Sequence, residues 1–281
     1  SDGRTGGGQP GGAALMRTRI ITAVVLCAVL LGALVQPDPA YFAAVLGLLV
    51  LGAAWEWSAF LQLPGPAARL GYVLLVLGGC MATRKYLWAP DHFEWLLRLA
   101  VLWWLVALIW VWRAPARIGR WSAALAGLCV LVPAVTTLLR IAGEWPNGVR
   151  EVLLIVGISS AMDTGGYFAG RAFGRHKLAP RVSPGKTWEG VVGGLLLVLA
   201  LSLLATLWLP FARWPFVGLA LLSAGFSVVG DLAESLLKRA NGLKDSGQLL
   251  PGHGGVLDRI DSIAAAAPVM CLSLIWLGAG A

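Results

Sequence analysis

Residues 191–209, VVGGLLLVLALSLLATLWL, run for nineteen positions without a charged side chain. An α-helix rises about 1.5 Å per residue, so the stretch reaches about 29 Å, the thickness of a bilayer's hydrocarbon core. A helix at a protein surface in water keeps a polar face; this one has none, and lipid is its solvent.

Comparable runs fall on both sides of it, at about Ile20–Gln36, Ala40–Leu63, Ala67–Thr83, Trp95–Trp112, Trp121–Leu139, Val152–Phe173, Pro215–Leu237 and Ile260–Leu277. The fold class is therefore all-α, a polytopic integral membrane protein with about nine transmembrane helices, because a helix satisfies its own backbone in lipid. Composition agrees: 58% of the 281 residues are hydrophobic and 13% are charged, against about 25% charged in an average soluble domain. Residues 1–15, SDGRTGGGQPGGAAL, are polar and Gly-rich and read as a disordered N-terminal extension, with Met16 looking like a natural start. Cys27, Cys80, Cys129 and Cys271 each sit inside an apolar run without CxxC spacing, as small hydrophobes do.

The net charge of +8 is read by position. With the N-terminus inside, sixteen of the 22 Lys and Arg residues fall on the inner side and five outside (Arg84, Lys85, Arg140, Arg150, Arg213). That bias sets a cytoplasmic N-terminus. Nucleic acid is not an expected partner, since the basic residues are scattered between spans rather than gathered along one stripe. Two inner loops break the rhythm of spans and short turns: Gly170–Gly190 and Lys238–Arg259.

Acids beside these loops carry the chemistry, because a carboxylate at membrane depth costs several kcal/mol unless paired, hydrated or bound to a cation. They are Asp163 in SSAMDTGGYFAG, Asp231 and Glu234 in FSVVGDLAESLLKR, and Asp258 and Asp261 in LDRIDS. Helical spacing puts Asp231, Glu234, Ser235 and Lys238 on one face and Asp258 and Asp261 on another. The loop between them returns to the same membrane surface, so both groups converge at one depth. Converging carboxylates suit Mg²⁺, a hard cation that keeps waters for substrate phosphates. The plainer alternatives are an i,i+4 pair between Glu234 and Lys238, and Asp258 and Asp261 as helix caps.

Glycines and bases supply what a phosphate needs. PGHGG, Pro251 to Gly255, exposes backbone N–H groups at Gly254 and Gly255, while His253 fits three roles equally: phosphate donor, acid or turn residue. SPGKT, Ser183 to Thr187, is expected as a tight turn presenting a hydroxyl and an ammonium; it lacks the first glycine of a Walker A loop.

The stretch from Ser235 to Asp261, SLLKRANGLKDSGQLLPGHGGVLDRID, resembles in full the signature of the phosphatidate cytidylyltransferases: S-x-x-K-R, then K-D, then P-x-H-G-G-x-x-D-R-x-D. The segment from Asp163 to Gly190 is similar to another block of that family. The resemblance implies an enzyme joining CTP and phosphatidic acid into CDP-diacylglycerol with release of pyrophosphate. It implies Mg²⁺, with a monovalent ion at a second cation site. Asp231, Asp258 and Asp261 are then metal ligands, with Asp163 as a fourth acid on the same cavity. Lys186 meets developing negative charge beside Ser183 and Thr187. Lys238, Arg239, Lys244 and Arg259, with His253, Gly254 and Gly255, are candidates for the substrate phosphates, although Glu234 could instead neutralise Lys238. Residues 16–281 form one transmembrane catalytic domain, with N-terminal spans over about 20–139 and catalytic helices and loops over about 152–277. A homodimer and a place in a bacterial-type inner membrane, active site facing the cytoplasm, complete the expectation. The rival is an ion-coupled secondary transporter, which also uses intramembrane carboxylates and glycine-broken helices.

Overall fold

The computed structural model of the chain describes residues 12–252 and 254–279. Among them run nine helices: α1 (Gly12–Leu34), α2 (Ala40–Trp57), α3 (Gly65–Tyr86), α4 (Pro90–Arg113), α5 (Arg120–Glu144), α6 (Gly148–Phe173), α7 (Trp188–Ala205), α8 (Arg213–Ala240) and α9 (Leu257–Trp276). All but α1 are long and apolar enough to cross a membrane, and the described apolar stretch of α1 is Ile21–Leu34. Each of the nine expected spans falls on one of these helices, eight of which qualify as spans among the described residues, and the protein is a polytopic, nearly all-α membrane protein.

α5 and α9 form the centre. Buried residues make up 67% of the apolar stretch in each, against 17% in α3 and 22% in α7. Small side chains put α9 there: Ala264 to Ala267 are all buried, and Ser223 of α8 donates its hydroxyl to the Ala266 carbonyl at 3.1 Å. Lipid gives helices no hydrophobic reason to associate, so close backbone approach and interhelical hydrogen bonds do the joining. The outer helices turn their grease to the bilayer, as Leu70, Leu74, Leu75 and Met81 of α3 and Leu99 and Leu102 of α4 show by their exposure.

α2 and α3 are tied to the N-terminal half of α5. Trp57 Nε1 donates to the Ala123 carbonyl at 2.8 Å and Tyr72 Oη to the Ala124 carbonyl at 3.0 Å. Gly127 leaves room for both, since a Cβ there would run into Tyr72 Oη and lie 2.6 Å from Trp57 Nε1.

Three local readings change. α4 begins at Pro90 rather than near Trp95, because Pro at the first helical position and Asp91 in the first turn start a helix ahead of its apolar stretch. α1 already begins at Gly12, within the segment expected as an extension. SPGKT is a strand, not a tight turn: β2 (Ser183–Thr187) pairs antiparallel with β1 (Lys177–Ala179), in the register Lys177 to Thr187 and Ala179 to Ser183. The loop between α6 and α7 is therefore a hairpin. Its base is fixed by the Trp188 N–H on the His176 carbonyl at 2.9 Å and by Glu189 Oε1, 2.6 Å from His176 Nδ1.

Candidate active site

The chain crosses back and forth, so α6 and α8 end where α7 and α9 begin, and the chemistry gathers at that end. α8 meets α9 through Gly230. A Cβ at this position would collide with the Asp261 carbonyl oxygen and lie 2.9 Å from Ala265 Cβ. Only glycine permits that approach, and Asp231, the next residue, is carried to Asp261. α6 meets α7 in the same way: a Cβ on Gly165 would sit 2.7 Å from the Gly193 carbonyl, and one on Gly194 2.6 Å from the Met162 carbonyl. This contact brings Asp163 to the same place. Ser262 links the two acids, its N–H on Asp261 Oδ1 at 2.7 Å and its hydroxyl 3.5 Å from Asp163 Oδ1.

The hairpin delivers the base. Lys186 of β2 reaches Asp231 Oδ2 at 2.6 Å, with the two side chains 24% and 29% exposed. Asp231 Oδ1 also accepts from the Ser235 hydroxyl at 3.3 Å. A cavity of about 580 Å³ opens here between α6, β2, α7 and α8, with Asp163, Asp231, Lys186, Ser183, Tyr167 and Arg171 in its wall. Thr187 also borders it, but its side chain is buried and its oxygen accepts from the Gly190 N–H at 3.2 Å, capping α7. The hydroxyl expected at a phosphate therefore first serves to start a helix.

A second cluster lies behind the first. Lys238 Nζ is shared by Asp258 Oδ1 at 2.6 Å and Glu234 Oε2 at 3.2 Å. The i,i+4 pair is real, and it is half of a three-membered group. Asp258 Oδ2 accepts from the N–H groups of Gly255 at 3.0 Å and Ser246 at 3.3 Å. The loop N–H of Gly255 is thus turned inward onto Asp258. Gly254, at φ +83°, holds the left-handed conformation that glycine adopts without strain. Arg239, Lys244 and Arg259 are exposed at the rim of this region. His253 lies outside the described residues.

Glu56 escaped the sequence reading. It is 2% exposed near the end of α2, and its Oε2 accepts from the Leu257 N–H at 2.8 Å and the Ser246 hydroxyl at 3.2 Å. The criterion that picked out Asp163, an acid inside an apolar span, applies equally to GAAWEWSAF. Tyr167 and Arg171, joined at 2.8 Å on the cavity wall, were weighed only as part of a span and of a basic run.

Five carboxylates (Asp163, Asp231, Glu234, Asp258, Asp261) thus face two ammonium groups, Lys186 and Lys238. Among the described residues no three acids are already arranged as a metal cage; lysines hold three of the five, Asp231, Glu234 and Asp258. The donor set still fits a hard cation. All its ligands are carboxylate oxygens, negative charge is in excess, and the buried Glu234 carboxyl lies against Asp261.

A bundle of lipid-crossing helices with acids, lysines and a cavity of about 580 Å³ at one end has the form of a membrane-embedded active site. Comparison with known proteins makes the class specific. The sequence model of the cytidylyltransferase family matches residues 17–276. A phosphatidate cytidylyltransferase of Haemophilus influenzae is 40% identical over 282 residues, covering 90% of this chain and 96% of the relative. One from Pseudomonas aeruginosa is 41% identical over 270 residues, covering 93% and 97%, and one from Staphylococcus aureus is 30% identical, covering 92% and 99%. The chain belongs to the cytidylyltransferase family and is a nucleotidyltransferase, which removes the ion-coupled transporter.

Proposed function

We propose that the protein transfers the cytidylyl group of CTP to phosphatidic acid, giving CDP-diacylglycerol and pyrophosphate. A phosphate oxygen of phosphatidate attacks the α-phosphorus of CTP. The bond from that phosphorus to the oxygen bridging it to the β-phosphate breaks in line, and the electron pair leaves on pyrophosphate. The observation that carries this reading is the Lys186–Asp231 pair set in a cavity of about 580 Å³ against Asp163. It presents both signs of charge to one substrate phosphate.

Lys186 is the group placed to meet charge on the phosphates, as a compact ammonium held from behind by Asp231. Asp163, Asp231 and Asp261, with Asp258 behind them, would hold Mg²⁺, and Glu234, whose carboxyl lies against Asp261, would help hold a second, monovalent cation. When bound, Mg²⁺ supplies neutralisation of a triphosphate that the acids alone would repel. Ser183 and Arg171 on the cavity wall are placed to orient phosphates, and Arg239, Lys244 and Arg259 draw anionic substrates to the rim. The exposed Tyr167, Phe168 and Trp188 beside the cavity suit the boundary where acyl tails stay in lipid while CTP comes from water. No general base is needed, because a phosphate monoester is largely ionised near pH 7. The excess of Lys and Arg on the active-site side supports a cytoplasmic orientation in an inner membrane. The homodimer implied by the resemblance belongs to the same proposal.

The test is mass detection of CDP-diacylglycerol from the purified protein given CTP, phosphatidate and Mg²⁺, beside Asp261→Asn. Product from the parent and its loss in a folded Asp261→Asn protein support the proposal; a well-folded parent that makes none overturns it.

A further inference from the structure

We propose that Glu56 is a positioning residue for the transfer, holding the loop segment at Ser246 and Gly247 and the start of α9 so that Asp258 and Lys238 keep their places. The inference rests on the function proposed above. Among the described residues Glu56 does not line the cavity, and its hydrogen bonds go to Ser246 and Leu257 rather than to an acid. It acts through a chain of contacts that crosses four parts of the protein. From α2, Oε2 accepts from the Ser246 hydroxyl at 3.2 Å and from the Leu257 N–H, the first of α9, at 2.8 Å. Ser246 passes the constraint on, its own N–H donating to Asp258 Oδ2 at 3.3 Å. Asp258 Oδ1 holds Lys238 of α8 at 2.6 Å, and Lys238 holds Glu234 at 3.2 Å.

The loop is shaped around this carboxylate. Cβ atoms on Gly247 and Gly255 would both run into Glu56, and one on Gly255 would also meet the Ser246 hydroxyl. Two of the loop's glycines thus exist where the Glu56 carboxyl needs their space. A buried carboxylate requires compensation, and the open N–H groups at the start of α9 supply it through the Leu257 contact and the helix dipole. A neutral apolar residue would leave the Leu257 N–H without an acceptor and Ser246 without its anchor. Asp258, two contacts away, would keep its chemistry but lose its fixed position.

The test uses the full-length protein in lipid nanodiscs, comparing parent, Glu56→Ala and Glu56→Gln. Glutamine keeps an acceptor oxygen at the same reach and so serves as the rescue. Amide hydrogen exchange is read by mass spectrometry over peptides spanning 241–257, and kcat and KM for CTP are measured on the same samples. A hydrogen bond to a charged acceptor corresponds to about ten- to a hundredfold in an equilibrium. Glu56→Ala is therefore expected to exchange about ten- to a hundredfold faster in this segment. It should lose kcat by a similar factor with KM for CTP within about threefold, while Glu56→Gln recovers most of both. Exchange and kcat at parental values in Glu56→Ala would overturn the proposal, as would loss of protection spread evenly over α5 and α9, which marks a fold-wide role. If Glu56→Ala fails to fold, Ser246→Ala tests the same relay, with the same two outcomes. A parent that makes no CDP-diacylglycerol refutes the function instead, and the exchange comparison still decides what Glu56 does to the loop.

Discussion

Lys186→Met separates a lysine that works on substrate from one that only neutralises Asp231. At 2.6 Å, and with an effective dielectric of about 20, the Coulomb attraction of the pair is about 6 kcal/mol. Desolvation of both ions offsets much of it, and the side chains are 24% and 29% exposed, so removing the ammonium should cost about 1–2 kcal/mol of stability. The catalytic cost has a different origin. A preorganised charge facing a reacting phosphate is worth about 10²–10³ in kcat. A second variant, Lys186→Met with Asp231→Asn, removes both charges and with them the unpaired carboxylate. Thermal unfolding in detergent reads stability, and CDP-diacylglycerol formation at saturating CTP reads kcat. The double variant should recover much of the lost stability, which reads the pairing role by itself. Activity within about threefold of the parent in Lys186→Met would refute the assignment of Lys186 to substrate.

Gly230→Val forces a side chain against the Asp261 carbonyl and Ala265; overpacking of this kind costs about 1–3 kcal/mol, and because it parts Asp231 from Asp261, kcat should fall by more than tenfold in protein that still folds. Trp57→Phe deletes the 2.8 Å bond to Ala123, so thermal unfolding should register a loss of about 1 kcal/mol with kcat unchanged; a drop in kcat would mean that the α2–α5 tie reaches the active site. Chelation of divalent cations should stop product formation and added Mg²⁺ restore it, and full activity in excess chelator would rule out the metal requirement.

Much of the fold was legible along the chain because lipid imposes a simple rule. A segment crosses as a helix only if about twenty residues can sit in hydrocarbon, and among the described residues eight of the nine expected stretches meet that demand. Asp163, Asp231 and Asp261 were legible by the same rule turned round, as charges too costly at that depth without work to do. Helix starts were less so: α4 opens with Pro90 and Asp91, which serve the helix end and not the bilayer.

Pairing in space was closed to one-dimensional reading. SPGKT becomes a strand because KLA, Lys177 to Ala179, pairs back onto it as β1, and that hairpin aims Lys186 at Asp231. Thr187, expected at a phosphate, borders the cavity and also caps the start of α7, a second role that only the fold shows. Gly165, Gly194 and Gly230 matter for what lies opposite them, a carbonyl on another helix, which composition does not reveal. Glu56 satisfied the cost rule on its own, yet its partners, Ser246 and Leu257, come from the far end of the chain. Sequence by itself determined that the chain is a membrane helix bundle and which acids fall in apolar segments where a charge is costly, because burial in lipid is a property of each segment. Tertiary structure decided which base meets which acid and which carboxylate holds the loop, because those depend on how closely two helices can approach.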